Sequence, residues 1–325
     1  MKRRVLLTGA AGEVGRRLAR RLVADGWTVR ALVLPGDPLR ARLDGVVDDV
    51  CEGDVRDAAS LGPACAGVDT VFHLAAVILT QHKDQYDQIN RRGTANMVAA
   101  AAAAGVRHFV YVSSASVVYP RLTPYGQSKL DAERSVAAET RFAHTIVRPT
   151  LVYDATGAQE FMLFRRFVLR FPVVPFVGTG HARKRPVFSD DVVDGLARIA
   201  GNARSFGRTY NLSGGETITL GDLARLVLHL EGRPRPLLPL PVSVCRVVAA
   251  VLGRLMRDPP LTPYAIAGFV NDADLDPALA MAELGYRPRG VREGLTACFT
   301  PLADIDRARA QTTNRAMRPA DGSTT

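Results

Sequence analysis

The sequence predicts an α/β protein with a doubly wound parallel sheet and a smaller mixed α/β region after it. In the first 150 residues, short β-branched runs alternate with segments whose apolar residues recur at helical spacing. A glycine-rich turn directly follows the first of these runs. Alternation of this length requires crossover connections, which place the strands in one parallel sheet with helices on both faces.

Six strands are predicted along the first 150 residues, each a short β-branched or aromatic run bounded by turn residues. They cover residues 5–7, 27–33, 46–50, 70–74, 109–112 and 145–147. Apolar spacing or alanine content predicts helices at 14–24, 86–104 and 125–138. Gly105 ends the second helix, because a helix C-terminus favours glycine.

Beyond residue 150 the strand–helix alternation stops and prolines become frequent. Helices are predicted at 159–171, 190–200, 220–230, 242–256 and 277–284. We therefore predict a first domain of residues 1–150 and a second region, 151–306, interleaved with it. Helix 242–256 is mostly apolar, and we expect it to be partly buried in the second region rather than to lie on a membrane. Residues 307–325 are polar and aperiodic, which predicts a disordered tail.

The composition excludes several functional classes. No apolar run reaches the ~18–20 residues of a membrane-spanning helix, so we expect no membrane span, no export and a cytoplasmic location. The formal charge is +10, but basic and acidic residues are interspersed, which favours a small-molecule partner over a nucleic acid. The four cysteines form no CxxC pair and the six histidines no HExxH pattern, so we expect no metal site.

The turn at residues 8–15 reads TGAAGEVG and stands between the first strand and the first helix. Gly9 permits a tight turn, Gly12 lets a pyrophosphate approach the backbone, and Gly15 lets the helix pack on the strand. Free N–H groups at the start of the helix attract an anion. The pattern predicts a dinucleotide cofactor at this turn, bound by the first domain.

Tyr125 and Lys129 stand four residues apart in a predicted helix, so their side chains share one face. Hydride transfer to a carbonyl needs a proton donor near the oxygen, and an ammonium group lowers the pKa of a neighbouring phenol. We predict Tyr125 as the catalytic acid and base. Lys129 is predicted to assist it and to bind the ribose of the nicotinamide.

The motifs together resemble the short-chain dehydrogenase/reductase superfamily, in its extended, NAD-dependent epimerase/dehydratase-like branch. Besides TGxxGxxG they are GDVRD at 53–57, HLAA at 73–76, NRRGTAN at 90–96, YGQSK at 125–129 and RPTLVY at 148–153. The resemblance implies a Rossmann fold and the following cofactor-binding residues: Gly9, Ala11, Gly12, Glu13, Val14, Gly15, Asp54, Val55, Leu74, Ala75, Ala76, Lys129, Pro149 and Val152.

The resemblance also assigns further roles. It implies that Ser114, with Ser113 as the alternative, hydrogen-bonds the substrate oxygen and Tyr125. It implies a homodimer formed through the helices at 90–104 and 125–138.

The sequence leaves the choice between NAD and NADP nearly open. An acidic residue at the end of the second strand would bind the ribose 2′-hydroxyl, and an arginine would bind a 2′-phosphate. Leu34 stands near this position, and Asp37 follows in a turn. We expect a slight preference for NADP if one of three nearby arginines reaches the phosphate: Arg16, Arg40 and Arg42.

Two departures from the nucleotide-sugar enzymes of this family concern the substrate. Ser114 and Tyr125 are only 11 positions apart, which leaves little room for a substrate loop. Lys184 stands where those enzymes carry an arginine for the diphosphate; Lys184 or Arg185 either binds phosphate or is a solvated charge. Both departures weaken the prediction of a nucleotide-sugar substrate. The proline-rich approach to helix 242–256 resembles steroid-dehydrogenase, hopanoid-associated and flavonoid-reductase-like relatives, which implies a more apolar substrate; a steroid-, hopanoid- or flavonoid-like substrate or a sugar-derived one is expected. Four apolar residues are expected near it: Val77, Ile78, Phe161 and Phe164.

The predicted function is therefore that of an NAD(P)-dependent oxidoreductase acting on a secondary alcohol or ketone. A nucleotide-sugar epimerase is one alternative, since return of the hydride to the other face inverts a carbon centre. A non-catalytic NAD(P)-binding subunit or sensor is the other. The presence of both Tyr125 and Lys129 favours an enzyme.

Overall fold

A seven-stranded parallel sheet forms the centre of the protein in the computed structural model, which describes residues 3–80, 82–155, 158–256 and 261–300. The predicted tail at 307–325 lies outside these ranges. The strands of the whole chain are β1 Arg4–Thr8, β2 Thr28–Val33, β3 Asp49–Glu52, β4 Thr70–His73, β5 His108–Val112, β6 Ala143–Pro149, β7 Val152–Tyr153, β8 Val174–Val177, β9 Arg183–Lys184, β10 Val187–Phe188, β11 Arg208–Leu212, β12 Ile218–Thr219 and β13 Leu237–Leu240.

The order of strands in the large sheet is β11-β6-β5-β4-β1-β2-β3, and every neighbouring pair is parallel. The chain runs outward from β1 to β3 on one side and from β4 to β6 on the other. The direction of winding therefore reverses between β1 and β4. Ligands of open α/β sheets bind in the crevice at the carboxyl ends of the strands at such a reversal. The predicted doubly wound α/β fold is confirmed.

The helices are α1 Glu13–Ala24, α2 Leu61–Cys65, α3 Gly93–Ala103, α4 Pro124–Ala138, α5 Gln159–Val168, α6 Ser189–Ile199, α7 Leu220–Leu230, α8 Val242–Leu255, α9 Pro263–Val270, α10 Ala278–Leu284 and α11 Val291–Cys298. A π-helical segment, Tyr86–Arg92, leads directly into α3. The predicted single helix 86–104 is therefore two segments of different pitch. Within the described ranges, no helix has the length and apolar character needed to cross a membrane.

Two elements of the sheet differ from the sequence prediction. The third strand lies at Asp49–Glu52 rather than 46–50, because Val46 and Val47 pack against the core from a turn. A seventh strand, β11, comes from the second region and pairs with β6. The sheet therefore continues across the predicted boundary at residue 150. The two regions therefore both contribute strands to the large sheet.

Two apolar cores cover the two faces of the sheet. One contains Leu18 and Leu22 of α1 with Leu196 of α6, and the other contains Met97 of α3 and Val136 of α4. A third core lies in the second region, where α5 and α7 pack together. Helices therefore flank both faces of the sheet, and the carboxyl ends of the strands stay open.

His108, at the start of β5, joins β5, β6 and the turn before β11 through one hydrogen-bonded chain. Its Nε2 lies 2.8 Å from Thr145 Oγ1, and that hydroxyl donates to the carbonyl oxygen of Ser205 at 2.7 Å. Because the threonine proton is used, Nε2–H of a neutral imidazole must be the donor. Burial, with a smaller contribution from His144, lowers the pKa of His108 to about 4.

We expect His108 to make the protein less stable in acid. Its folded pKa is below the ordinary value of about 6.5, so the unfolded chain binds the proton more readily as the pH falls from about 6.5 to 4. His108→Gln keeps a donor for Thr145 but does not titrate. Between pH 7 and 4.5 the variant should lose about 2 kcal/mol less unfolding free energy than the wild type, measured by urea denaturation. The exposed His229→Gln is the control, and parallel curves for His108→Gln and wild type would contradict the assignment.

Candidate functional site

A cavity of about 710 Å³ opens at the carboxyl ends of the central strands. Its volume lies within the ~300–1,000 Å³ of small-molecule and cofactor sites. All sixteen residues predicted for the site line it: Gly9, Ala11, Gly12, Glu13, Val14, Gly15, Asp54, Val55, Leu74, Ala75, Ala76, Ser114, Tyr125, Lys129, Pro149 and Val152. Fold and motif spacing thus bring these residues to one place, and their individual roles stay predictions.

The glycine turn after β1 requires the absence of side chains at two positions. Gly9 has φ +67°, and a Cβ there would lie 2.9 Å from the backbone of Leu74 and of Ala75. A Cβ on Gly15 would overlap the carbonyl oxygen of Gly9. Helix α1 begins at Glu13 with no side-chain cap among the described residues. Backbone N–H groups at this end of α1 are therefore free to bind an anion, which fits a pyrophosphate.

Glu13 is an acidic residue at this anion site, and three arginines offset its charge. The distances from Glu13 carboxylate oxygens to guanidinium nitrogens are 3.0 Å for Arg16, 3.5 Å for Arg17 and 3.8 Å for Arg42. Arg17 also pairs with Asp154 and Asp190, so the three arginines balance three carboxylates around the first turn of α1. Arg16 and Arg42, two of the arginines that the sequence analysis considered for a 2′-phosphate, thus form ion pairs with Glu13.

The segment after β3 is held by the start of α3. Asn96 Nδ2 donates to the carbonyl oxygen of Val55 at 2.9 Å. A Cβ on Gly93 would lie 2.7 Å from Val55 Cγ2, so the glycine permits this close packing. Hydrogen bonds from Arg56 lower the pKa of Asp54 and keep it ionised. The GTAN motif at 93–96 thus fixes the wall of the cavity at Val55.

His73 at the end of β4 joins the glycine turn to α3. Thr8 Oγ1 lies 2.8 Å from its Nδ1, and Thr94 Oγ1 lies 3.0 Å from its Nε2. Thr94 uses its own proton to bond the carbonyl oxygen of Asn90, so Nε2–H donates and Nδ1 accepts. Burial, with a smaller contribution from Lys129, lowers the pKa of His73 to about 3, consistent with this neutral form. Thr8 Oγ1 also accepts a hydrogen bond from Ala75 N at 3.1 Å.

Asn90 positions the loop that follows β4 against α4. Its amide makes two hydrogen bonds of 2.9 Å with the backbone of Val77, one as donor and one as acceptor. The same amide nitrogen lies 3.1 Å from Ser128 Oγ, and that hydroxyl donates to the carbonyl oxygen of Tyr125. Asn90 therefore links the wall of the cavity to the helix that carries Tyr125 and Lys129.

Ser114 and Tyr125 both line the cavity. Ser114 Oγ accepts hydrogen bonds from the backbone and hydroxyl of Ser116, at 3.2 and 3.0 Å. Ser113 lines the cavity too, and its hydroxyl has no hydrogen-bond partner within the described ranges. Ser114 opposes the rise in the pKa of the Tyr125 phenol that burial causes, and no such effect comes from Ser113. Ser114 is therefore the preferred candidate partner of Tyr125, and its role stays a prediction.

Lys129 lies one helical turn beyond Tyr125 and is almost fully buried. Its Nζ donates to the carbonyl oxygen of Val112 at 2.6 Å and lies 4.3 Å from the centre of the Tyr111 ring. Burial lowers the pKa of Lys129 to about 7, and Glu133 opposes this shift. Lys129 can therefore gain or lose a proton near neutral pH.

The pKa of Tyr125 differs from the sequence expectation. Burial raises the pKa of the phenol well above its ordinary value, and the Glu160 carboxylate raises it further. We expected Lys129 to lower this pKa, but Lys129 donates to Val112 instead. Tyr125 therefore stays protonated at neutral pH, and Glu160 is the charged residue that most affects it.

Glu160 is the main site residue that sequence reasoning missed. It lies in the first turn of α5, lines the cavity beside Gln159, and has a raised pKa because the surrounding protein removes part of its water. Phe161 and Phe164 of the same helix, expected near the substrate, pack instead in the core of the second region. Val77 and Ile78 do line the cavity, as expected. The motifs end before α5, so no sequence signal pointed to Glu160.

Lys184 and Arg185 are not solvated charges. Lys184 is buried and donates to the carbonyl oxygen of Asn271, and Arg185 pairs with Asp274 at 2.8 Å. Within the described ranges, the cations that line the cavity are Arg56 and Lys129. Neither Lys184 nor Arg185 is therefore placed to bind a phosphate there.

A doubly wound sheet, a glycine turn and a Ser–Tyr–Lys group in one crevice define a dinucleotide-binding enzyme fold. Over residues 5–213 the sequence matches the NAD dependent epimerase/dehydratase family. The chain belongs to this family, and the resemblance drawn from the motifs is confirmed.

Curated relatives and solved structures are similar over nearly the whole chain. A 3 beta-hydroxysteroid dehydrogenase/Delta 5-->4-isomerase of Mycobacterium tuberculosis is 28% identical, over 97% of this chain and 96% of its own length. The crystal structure of gox2253 has a TM-score of 0.76 and 28% identity, over 94% and 98% of the two chains. MoeE5 in complex with UDP-glucose and NAD has a TM-score of 0.69 and 25% identity, over 95% and 99%.

The protein is therefore an NAD(P)-dependent enzyme of the dehydrogenase, reductase or epimerase type. The glycine turn and the wall formed by Leu74 to Ala76 fit the dinucleotide, because they line one cavity of about 710 Å³ together with Lys129. When bound, the nicotinamide supplies or accepts the hydride.

We expect Gly15→Ala to weaken cofactor binding at least about tenfold, because the new methyl group overlaps the Gly9 carbonyl and displaces the turn. The measurement is titration of the purified protein with NADH, followed by fluorescence. Gly62→Ala is the matched control, because a Cβ at Gly62 meets no atom within 4 Å. Equal affinity of Gly15→Ala and Gly62→Ala would show that the dinucleotide does not use this turn.

Proposed function

We propose that the protein is a dehydrogenase or reductase that interconverts a secondary alcohol and a ketone on an apolar, steroid-like substrate. The observation that carries this proposal is that Ser114, Tyr125 and Lys129 line the same cavity as the glycine turn. In this role Ser114 holds the substrate oxygen, and Tyr125 gives or takes the proton at its hydroxyl. Lys129, held by its hydrogen bond to the carbonyl oxygen of Val112, would bind the ribose of the nicotinamide.

The raised pKa of Tyr125 bears on the direction of the reaction. Ketone reduction needs a proton donor, and a phenol that stays protonated at neutral pH meets this need. Alcohol oxidation needs the phenolate, so its rate is expected to rise with pH. Glu160 strengthens this bias, because its carboxylate disfavours a second negative charge nearby.

The lining of the cavity supports an apolar substrate. The apolar residues Val77, Ile78 and Ala158 line the cavity, together with polar residues that include Gln85, Asp154, Gln159 and Glu160. A nucleotide diphosphate needs cations to bind its charge, and Lys129 is the only described cation at this end of the cavity. The similarity to a 3 beta-hydroxysteroid dehydrogenase agrees with this substrate class.

A nucleotide-sugar epimerase is the second candidate, favoured by the similarity to MoeE5, whose structure contains UDP-glucose and NAD. The burial of Lys184, where the diphosphate-binding arginine of such enzymes would stand, opposes it. A non-catalytic subunit is opposed by the Ser114, Tyr125 and Lys129 arrangement. The homodimer and the cytoplasmic location stay predictions.

For the cofactor we propose a preference for NAD. Asp37 lines the adenosine end of the cavity, beyond the end of β2, while Arg16, Arg40 and Arg42 are not among the residues that line it. A carboxylate at this position repels a 2′-phosphate and accepts a hydrogen bond from a 2′-hydroxyl. This arrangement opposes the slight preference for NADP drawn from the sequence.

Tyr125→Phe should lower kcat about 10²–10⁴-fold and leave the Kd of NADH within about twofold, because the phenyl ring keeps the packing but has no proton to transfer. Activity is measured as the absorbance of NADH with 3β-hydroxysteroids, the corresponding ketosteroids and, separately, UDP-glucose epimerisation. Gln127→Ala, an exposed residue of the same helix, is the control. Turnover of UDP-glucose but of no steroid, or full steroid activity of Tyr125→Phe, would contradict the proposal.

Asp37→Asn should improve the binding of NADP several-fold and leave the binding of NAD nearly unchanged. The substitution removes the negative charge of the carboxylate, whose repulsion of the 2′-phosphate is about 1 kcal/mol. The substitution can keep the Oδ1 atom that accepts the 2.8 Å hydrogen bond from Leu39 N. The measurement is the Kd of NAD and NADP for both proteins. Asp44→Asn, an exposed residue outside the cavity lining, controls for a general effect of charge. An NADP affinity unaffected by Asp37→Asn would exclude Asp37 from cofactor choice.

A further inference from the structure

Helix α8 exposes a continuous apolar surface. Its described residues with fully buried side chains are Cys245 and Ala249, which pack against Ile266 of α9. The α8 face consists of its exposed apolar residues: Val244, Val247, Val248, Val251 and Leu255. At 3.6 residues per turn, these five positions fall within an arc of about 100°. The five residues therefore form one continuous stripe and are not isolated exposed side chains.

The exposure on this stripe is large. Val247 is 64% exposed and Leu255 77% exposed. Single exposed apolar residues are common, but a contiguous apolar stripe on one helix is typical of a surface that binds a membrane or another molecule. The sequence expectation that this helix is partly buried is met on the side that faces α9 only.

The charge around the α8 face indicates which partner it binds. The 26 residues from 232 to 257 contain five arginines and no acidic residue. Arg254 is exposed on α8 at the edge of the stripe, whereas Arg246 is exposed on nearly the opposite side of the helix. An apolar helix face in a segment with arginines and no carboxylate is complementary to an anionic phospholipid surface, where the apolar residues enter the acyl boundary and guanidinium groups bind phosphates.

A second copy of the chain fits this surface less well. Pairing two α8 faces would bring the arginines of both copies together, and this segment offers no carboxylate to neutralise them. The helix is also too short to span a bilayer, since its 14 residues are fewer than the roughly 20 required. The geometry therefore favours a helix that lies on the membrane surface.

We propose that the α8 face docks the protein on anionic phospholipid membranes. The proposal goes beyond the proposed function and does not depend on it, because its test measures binding rather than turnover.

The test is co-sedimentation of the full chain with vesicles of phosphatidylcholine alone, or with about a third phosphatidylglycerol. We expect binding to the anionic vesicles and at least about tenfold less to the neutral ones. Val247→Glu with Val251→Glu should reduce anionic binding at least about tenfold, because carboxylates would replace apolar contacts. The matched control is Leu279→Glu with Met281→Glu, two exposed apolar residues of α10, which should bind as the wild type does.

A second variant separates the charge from the apolar contact. Arg254→Gln should reduce the preference for phosphatidylglycerol more than Arg246→Gln does, because only Arg254 borders the stripe, and both should leave the fold intact, which the Kd of NADH verifies. The proposal is overturned if the wild type does not bind anionic vesicles, or if the α8 and α10 variants bind equally. It is also overturned if light scattering shows a dimer that Val247→Glu with Val251→Glu converts to a monomer without any vesicle binding, because the face would then join two copies.

Discussion

The contact between the backbone of Gly9 and that of Leu74 and Ala75 determines the geometry of the site. It brings the ends of β1 and β4 together at the point where the winding of the sheet reverses. The hydrogen bond between the side chains of Thr8 and His73 also joins the ends of these two strands, and Gly15 lets α1 pack against the Gly9 carbonyl. A side chain at either glycine would separate these parts. The anion-binding turn and the wall of the cavity therefore exist only because two backbones can touch here.

Much of this site could be predicted from the sequence because its determinants are local. The spacing of Gly9, Gly12 and Gly15 fixes a turn and a helix start within eight residues. Tyr125 and Lys129 share a helix face through a separation of four. Parallel strands bring the carboxyl ends of distant segments to one edge of the sheet, so motifs that follow strands meet even when they are far apart in sequence.

The parts that could not be predicted depend on long-range packing. Strand β11 follows a proline-rich segment without regular alternation, so only its pairing with β6 identifies it as part of the large sheet. The position of Glu160 depends on how α5 is rotated: its first turn faces the cavity, while Phe161 and Phe164 face the core. The protonation of Tyr125 follows from this rotation and from burial, and neither is visible in a motif.

The shared sheet also decides how the chain can be divided. Strand β11 covers the edge of β6, and α6 packs on α1, although both elements follow the residues that shape the substrate end of the cavity. A cut at residue 150 would leave β6 with an open edge and uncover one face of α1. To change the substrate specificity of this fold, the segments before and after 189–213 would be exchanged. Residues 189–213 would be kept together with residues 1–150, because segments for nucleotide binding and for substrate binding alternate along the chain.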